Sequence, residues 1–273
     1  MAKRTRRWNE AVYRRYLREG RGQGSGASYN PWITIHDFPS LGMASRVSGQ
    51  TTGRIYHLMS NLESNLFYIL DWADEVTDIR EQFPLSDLNR AIEIAEKALI
   101  RYPYDAVSGF PYVLTSDFYI ETHQGAMAIA VKPSSELSKP RVREKLEIER
   151  RYWIEREVRW CVMTEREINM VKARNIEWLS QAKDLLQLGL GKELQSATED
   201  FFMSHYVSQS HNLKSLFSQV EKRFGLTNGM GLNIYKYLIY HKNIEVDVEQ
   251  PIHILGVRGD AVTFAMAGDV QFA

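Results

Sequence analysis

The sequence predicts an N-terminal α/β domain built on a mixed β-sheet, followed by a C-terminal α+β domain. Three observations indicate this fold class. Strand-like and helix-like segments alternate over residues 1–165, two strand-like runs within 109–132 flank a short polar break, and helical segments dominate the last third of the 273-residue chain. Alternation places helices against a sheet, and the polar break predicts a hairpin within it. We therefore expect two domains, 1–165 and 166–273.

The chain begins with a basic segment. Residues 1–22 carry eight lysines or arginines against two glutamates, and they run into the glycine-rich stretch 20–26. For residues 1–27 we expect a basic helix and a flexible arm, which either follows DNA phosphates or forms an ordinary solvated face. The candidate DNA contacts are Arg4, Arg7, Arg14, Arg18 and Arg21. The glycines lack the preceding strand and the Gly-Lys-Ser/Thr ending of a phosphate-binding loop, so nucleotide binding is not predicted.

A helix is predicted to begin at Ser60, after short strands or irregular structure over 28–58. Ser60 and Glu63 have the spacing of a capping box, in which the glutamate bonds back to the start of the helix. Glu63 also precedes Leu66 and Leu70 on the apolar stripe, so its carboxylate borders the buried face. Spacing alone leaves both a helix cap and a metal ligand open.

The predicted hairpin carries the most informative residues. A strand over 76–85 and an amphipathic helix over 89–102 precede it. Asp117 lies in the middle of the first hairpin strand, where an aspartate needs a partner or a function, and Lys132 ends the second strand. A carboxylate and a lysine at one end of a sheet match a metal-dependent phosphodiesterase. A purely structural salt bridge fits the same pattern.

The remaining elements complete the two domains. Ser138 and Pro140 predict the start of a long helix, and 158–163 predicts a strand. The C-terminal third predicts helices over 166–188, 192–206, 213–224 and 231–241, then strands over 244–248, 252–257 and 262–267. Helices followed by a small sheet are typical of a winged helix, which binds either DNA or protein. His205, His211, His241 and His253 lack zinc spacing and predict surface or packing roles.

Composition narrows the functional class. The chain has no net charge, is 44% hydrophobic and holds one cysteine, Cys161, so an internal disulfide is excluded and a reducing cytoplasm is expected. No apolar run approaches the roughly 18 residues of a membrane-spanning helix, and no signal peptide is visible. Zero net charge does not by itself indicate a DNA-binding protein, although the basic residues cluster at the N-terminus.

Asp117 and Lys132 on a hairpin, followed by a helix and a strand, resemble the PD-(D/E)xK nuclease superfamily of restriction endonucleases. The surrounding sequence is similar to TnsA, the endonuclease subunit of Tn-seven-like cut-and-paste transposons. The similarity covers roughly residues 20–180, and its densest segments are 61–63, 78–85, 116–118, 131–133, 144–153 and 175–179.

This resemblance implies a function and a site. TnsA proteins cut the 5′ ends of the transposon, while a DDE transposase, TnsB, cuts and joins the 3′ ends, and an AAA+ ATPase, TnsC, couples excision to target choice. Glu63 and Asp117 would bind Mg²⁺, for which Mn²⁺ can substitute, with the Val131 carbonyl, and Lys132 would be the catalytic lysine. Glu149 would lie in the outer shell of this metal site, behind the residues that bind the ion. The resemblance also implies a winged-helix C-terminal domain that contacts TnsC, and a bacterial, nucleoid-associated protein.

One position departs from the family pattern. Most of the superfamily has Glu two residues before the lysine, and the best-known TnsA members have Gln, but this chain has Ala130. Alanine offers no side-chain oxygen, so water fills the vacancy, the site binds fewer ions, or nicking activity is lost. An active nuclease is the favoured hypothesis. The alternative is an assembly factor that bridges TnsB, TnsC and end DNA.

Overall fold

The computed structural model describes residues 7–37, 44–208 and 213–252. The chain divides into two compact units, Met1–Ile168 and Asn169–Ala273. No helix within the described ranges is both long enough and apolar enough to cross a membrane.

The first unit is an α/β fold on a mixed four-stranded sheet. Its elements in chain order are α1 (Glu10–Arg18), β1 (Ser45–Ser48), β2 (Ile55–Leu58), α2 (Asn61–Trp72), β3 (Val76–Pro84), α3 (Leu88–Lys97), β4 (Thr115–Thr122), β5 (Gly125–Val131), α4 (Pro140–Ile154) and β6 (Arg159–Met163). The sheet order is β3-β4-β5-β6, and β1 pairs with β2 in a separate two-stranded sheet. The β3–β4 and β4–β5 pairs are antiparallel and β5–β6 is parallel, so the predicted mixed sheet is confirmed.

Helices α3 and α4 cover one face of this sheet. Their apolar sides meet Ala128 of β5, and the small side chains of Ala91 and Ala95 let α3 approach closely. The buried members of this core are Leu85, Ala91, Ile94, Ala95, Tyr102, Ala128, Ile148, Tyr152 and Trp153. Burial of this apolar surface holds in place the two central strands, of which β4 carries Asp117 and β5 leads into Lys132.

Two local predictions in this unit are corrected. The glycine stretch is not a free arm, because Gly22 lies against β3 so closely that a Cβ there would come within 2.3 Å of Pro84 Cγ. The Gly26 amide also donates to Asp78 Oδ2 at 3.1 Å. Helix α3 ends at Lys97 rather than 102, because Leu99 adopts a left-handed φ of 56° and the Ile100 amide bonds back to the Ala95 carbonyl.

The second unit is helical over the part of it that the structure describes. It contains α5 (Met170–Ser180), α6 (Lys192–Ser208), α7 (Leu213–Phe224) and α8 (Met230–Tyr240), so the predicted helix over 166–188 is shorter than expected. The predicted strand 244–248 is wrong: Ile244 and Val248 are buried, and the Ile244 amide bonds to the Leu238 carbonyl at the end of α8. Their apolar character therefore reflects packing on helices rather than strand pairing.

Several predictions fall partly outside the described ranges. Of the expected strand 252–257 only Ile252 is described, and the expected strand 262–267 lies wholly outside the described residues. His211 and His253 also lie outside them. His205 Nδ1 lies 2.8 Å from the Phe201 carbonyl oxygen, and His241 Nε2 lies 2.8 Å from that of Lys183, as packing residues would.

Candidate metal centre

Asp117 and Lys132 meet where β4 and β5 run side by side. The antiparallel register pairs Phe118 with Ile129, which brings Asp117 to the end of β5. Asp117 Oδ2 accepts hydrogen bonds from the Val131 amide at 2.6 Å and from Lys132 Nζ at 2.7 Å. Lys132 Nζ also donates to the Val131 carbonyl oxygen at 2.9 Å. The hairpin thus gathers a carboxylate, a main-chain oxygen and an ammonium group.

Glu63 reaches this region from the first turn of α2. Ser60 at the N-cap accepts from the Glu63 amide at 3.2 Å and donates to Glu63 Oε1 at 2.9 Å. The Met59 amide donates to Oε2 at 2.8 Å. The carboxylate therefore caps the helix, as its spacing allowed, and it is 5% exposed.

The charges of these three side chains interact. Burial raises the pKa of Glu63 to about 7, and the nearby Asp117 carboxylate adds to the rise, while Lys132 opposes it. Burial acts to lower the pKa of Lys132, but Asp117 outweighs it, so the lysine pKa lies above its ordinary value. A Glu63 pKa of about 7 leaves part of this group protonated at neutral pH, whereas Lys132 stays cationic.

The donor set fits a hard divalent cation. Mg²⁺ prefers oxygen ligands and keeps several waters, so two carboxylates and a carbonyl suffice. Within 7–37, 44–208 and 213–252 there is no cluster of three or more His, Cys, Asp or Glu side chains that could hold a metal ion. A third protein donor at this centre would have to be of another kind, and the Val131 carbonyl oxygen, which bonds Lys132 Nζ, is the candidate. The Lys132 ammonium already bonds both Asp117 Oδ2 and this carbonyl, which shows that the pair of oxygens accommodates a cation.

Glu149 of α4 lies behind this centre. Its Oε1 accepts from Ser116 Oγ at 2.6 Å and from Trp160 Nε1 at 3.0 Å, and Trp153 Nε1 donates to the same serine at 2.7 Å. Burial raises the pKa of Glu149 to about 7, with Asp117 adding to the rise. Because Ser116 precedes Asp117 in β4, this network anchors the strand that carries the aspartate.

Ala130 leaves the side-chain position between Ala128 and Lys132 without an oxygen donor. It is 1% exposed and pairs with Val162 of β6 in the parallel ladder. Since side chains alternate along a strand, Ala130 shares a face of β5 with Lys132.

The arginines predicted to contact DNA have different environments. Arg4 lies outside the described residues. Arg7, Arg14 and Arg18 are exposed, and Arg14 pairs with Glu10 at 2.6 Å. The Arg21 guanidinium instead bonds Asp37 at 2.6 Å and lies 3.6 Å from the centre of the Tyr16 ring. Its charge is therefore neutralised within the protein.

Sequence reasoning did not find Gln82, whose Nε2 lies 3.4 Å from Glu63 Oε2. The residue belongs to a strand-like run, and nothing in that pattern distinguishes it.

Asp117, the Val131 carbonyl and Lys132 on the paired strands β4 and β5, with Glu63 of α2 held beside β3, define a candidate divalent-metal site. Two family models match the chain: "TnsA-like endonuclease N terminal" over residues 73–165 and "TnsA endonuclease C terminal" over 167–248. The chain is 35% identical over 272 residues to "Transposon Tn7 transposition protein TnsA" of Escherichia coli, covering 94% of this chain and 98% of that protein.

The chain therefore belongs to the TnsA endonuclease family. Membership implies nuclease activity with a divalent metal cofactor. It also implies transposon DNA and other transposition proteins as partners. The N-terminal family model spans Asp117, Val131 and Lys132 but begins after Glu63.

Proposed function

We propose that this chain is a Mg²⁺-dependent DNA endonuclease that cuts the 5′ ends, the non-transferred strand, of a Tn-seven-like transposon. It would act with a TnsB-type DDE transposase, under the control of a TnsC-type AAA+ ATPase. Family membership supports the endonuclease and transposition parts of this proposal. The observation that carries the metal-dependent part is the meeting of Asp117, the Val131 carbonyl and Lys132 beside the buried Glu63.

Glu63, Asp117 and the Val131 carbonyl would hold the ion, which when bound polarises the scissile phosphate and lowers the pKa of a bound water. Lys132 supplies a positive charge beside these oxygens. As an ammonium group, Lys132 would donate hydrogen bonds and stabilise negative charge on the phosphate. A lysine that holds its proton orients the attacking water by donation rather than by taking a proton from it.

The N-terminal and C-terminal regions of the chain would have different functions. In this proposal residues 1–165 form the restriction-endonuclease-like catalytic domain, and 166–273 form a winged-helix domain that docks on the TnsC-type ATPase. The four helices α5 to α8 are compatible with that fold. The exposed arginines of the basic N-terminal segment would contact end DNA.

A nicking assay on DNA with a transposon end, run with the transposase and the ATPase, tests the proposal. We expect 5′ nicking that requires Mg²⁺ or Mn²⁺ and that is lost in Asp117→Asn. The matched control is Asp105→Asn, which changes an exposed aspartate that bonds Tyr112 and the turn amides. Equal cleavage by Asp117→Asn and the wild type would remove Asp117 from the site.

Ala130 supports a second candidate function, a degenerate nuclease that bridges the transposase, the ATPase and end DNA. In that case the wild type assembles the complex without nicking the 5′ ends. Asp117→Asn would then support transposon-end complexes as well as the wild type does, and neither protein would cut.

A further inference from the structure

Gln82 adopts an unusual backbone conformation two residues before the end of β3. Its φ is 49°, in the left-handed region that side-chain-bearing residues rarely use within a strand, and the residue is buried. Glu81 before it bonds Arg54 and the His57 amide, whereas Phe83 after it stacks on Tyr119 at a centroid distance of 4.5 Å. A side chain held in this conformation is strained, and residues of this kind cluster at functional sites.

The position of Gln82 in the sheet connects the two carboxylates. The β3–β4 ladder pairs Glu81 with Phe118 and Phe83 with Ser116, so Gln82 and Asp117 are the residues left between these pairs. Gln82 is thus the sheet neighbour of the predicted aspartate ligand. Its side chain extends toward the other predicted ligand, Glu63 of α2.

The Gln82 amide is oriented by a second contact. Thr115 Oγ1 donates to Gln82 Oε1 at 3.2 Å, so the amide NH₂ faces Glu63 Oε2 at 3.4 Å. The other donors to the Glu63 carboxylate, Met59 and Ser60, belong to the start of α2 itself. Among these contacts only that of Gln82 ties the carboxylate to the sheet that carries Asp117.

We propose that Gln82 is a positioning residue for the metal centre: its left-handed backbone aims an amide that holds the Glu63 carboxylate in place relative to Asp117. The inference rests on the proposed function, because it assigns Glu63 and Asp117 to one ion. Outer-shell partners of metal ligands are worth about 10- to 100-fold in metal affinity. The contact at 3.4 Å is long for a hydrogen bond, and catalytic contacts commonly shorten when the site is loaded.

Two substitutions at Gln82 distinguish the role of its side-chain amide from the role of its left-handed backbone conformation. Gln82→Gly accepts the left-handed φ without strain and removes the amide. Gln82→Met keeps the length of the side chain and removes its hydrogen-bonding groups. A third variant, Glu157→Gly, is the matched control, because Glu157 is an exposed residue with a left-handed φ of 58°.

The test measures Mn²⁺ binding to the full chain by calorimetry or electron paramagnetic resonance, with Asp117→Ala to assign the signal to this site. We expect both Gln82 variants to bind Mn²⁺ about 10- to 100-fold more weakly than the wild type. Glu157→Gly should bind like the wild type. Nicking by the Gln82 variants should need more Mg²⁺ for half-maximal rate and should recover at high Mg²⁺, which a change confined to folding would not produce.

The outcomes are distinct. Wild-type affinity in Gln82→Gly would show that the residue serves only to turn the strand, and wild-type affinity in Gln82→Met would show that the amide has no role. Either result overturns the inference and leaves the proposed function standing. A wild type that shows no Mn²⁺ binding sensitive to Asp117→Ala would overturn the proposed metal centre, and the inference with it.

Discussion

Lys132 Nζ lies 2.7 Å from Asp117 Oδ2 and also bonds the Val131 carbonyl, so the lysine contacts two of the three groups proposed to bind the metal ion. An ion that used the same lone pairs would compete with the ammonium, whereas Asp117 Oδ1 takes no part in these two bonds. We expect the ion to win this competition and to leave the lysine available to the phosphate and the attacking water. Metal loading and release of the lysine would then be coupled by shared ligands.

Replacing this lysine should separate metal binding from cleavage. In Lys132→Met we expect 5′ nicking to be lost while Mn²⁺ affinity rises about tenfold, or ~1.4 kcal/mol, because no ammonium competes for the oxygens. The control is Lys145→Met, since Lys145 is near enough to affect Lys132 electrostatically. Its smaller gain measures the general loss of positive charge. Unchanged or weaker Mn²⁺ binding in Lys132→Met would contradict the competition.

Adding an oxygen donor at position 130 should help the site. Ala130→Gln places an amide on the face of β5 that carries Lys132, so we expect half-maximal nicking at a lower Mg²⁺ concentration. The larger side chain should also lower stability by about 1–3 kcal/mol, because Ala130 is buried. Ala128→Gln, on the same face but within the helix-covered core, should lose stability without any gain in activity. Equal or higher Mg²⁺ demand in Ala130→Gln would show that the position needs no donor.

The buried Glu149 should make stability depend on pH. Its pKa of about 7 lies above that of an unfolded glutamate, so between the two values the folded protein holds a proton that the unfolded chain has lost. Stability should therefore fall as pH rises from about 4.3 to 7, by on the order of 3 kcal/mol for this group. Urea unfolding of metal-free protein measures the slope. Glu149→Gln, which does not titrate, should reduce the slope without abolishing it, because the pKa of Glu63 is also raised to about 7. An unchanged slope would show that Glu149 does not contribute.

The buried pair of Arg54 and Glu81 should matter for folding. Glu81 is fully buried and accepts from Arg54 Nη1 at 2.9 Å and from the His57 amide at 3.0 Å. Glu81→Gln leaves the Arg54 charge uncompensated and should cost about 3–5 kcal/mol in the free energy of unfolding. In the exposed pair Arg90–Glu155, the change Glu155→Gln should have little effect. A small loss in the free energy of unfolding in both variants would indicate that the Arg54 charge is in contact with solvent.

The N-terminal arginines should fall into two groups. Arg14→Gln and Arg18→Gln should weaken binding to end DNA and reduce its salt dependence by about one counterion for each lost phosphate contact. Arg21→Gln should instead lower the melting temperature, because Arg21 neutralises Asp37 within the fold. Electrophoretic shifts at several salt concentrations, with thermal unfolding, distinguish the two. Unaltered salt dependence in all three variants would support the solvated-face interpretation of the segment.

Local pattern predicted the parts of the structure that depend on neighbours in sequence. The hairpin of β4 and β5 turns at the polar break after Thr122, and α2 begins at Ser60, because turn and capping chemistry act over a few residues. The helical expectation over 213–224 matches α7. The same local reasoning was wrong at 244–248, because apolar residues that pack on helices there have the same pattern as a strand.

The sequence by itself determined the mixed α/β fold, the hairpin that joins Asp117 to Lys132, and the family to which the chain belongs. Only the tertiary structure decided that Arg21 is neutralised by Asp37, that the glycine stretch lies against Pro84, and that Gln82 faces Glu63. The reason is physical. Strand alternation and helix capping are encoded within a few consecutive residues, whereas contacts between distant segments depend on how the sheet and its helices pack together.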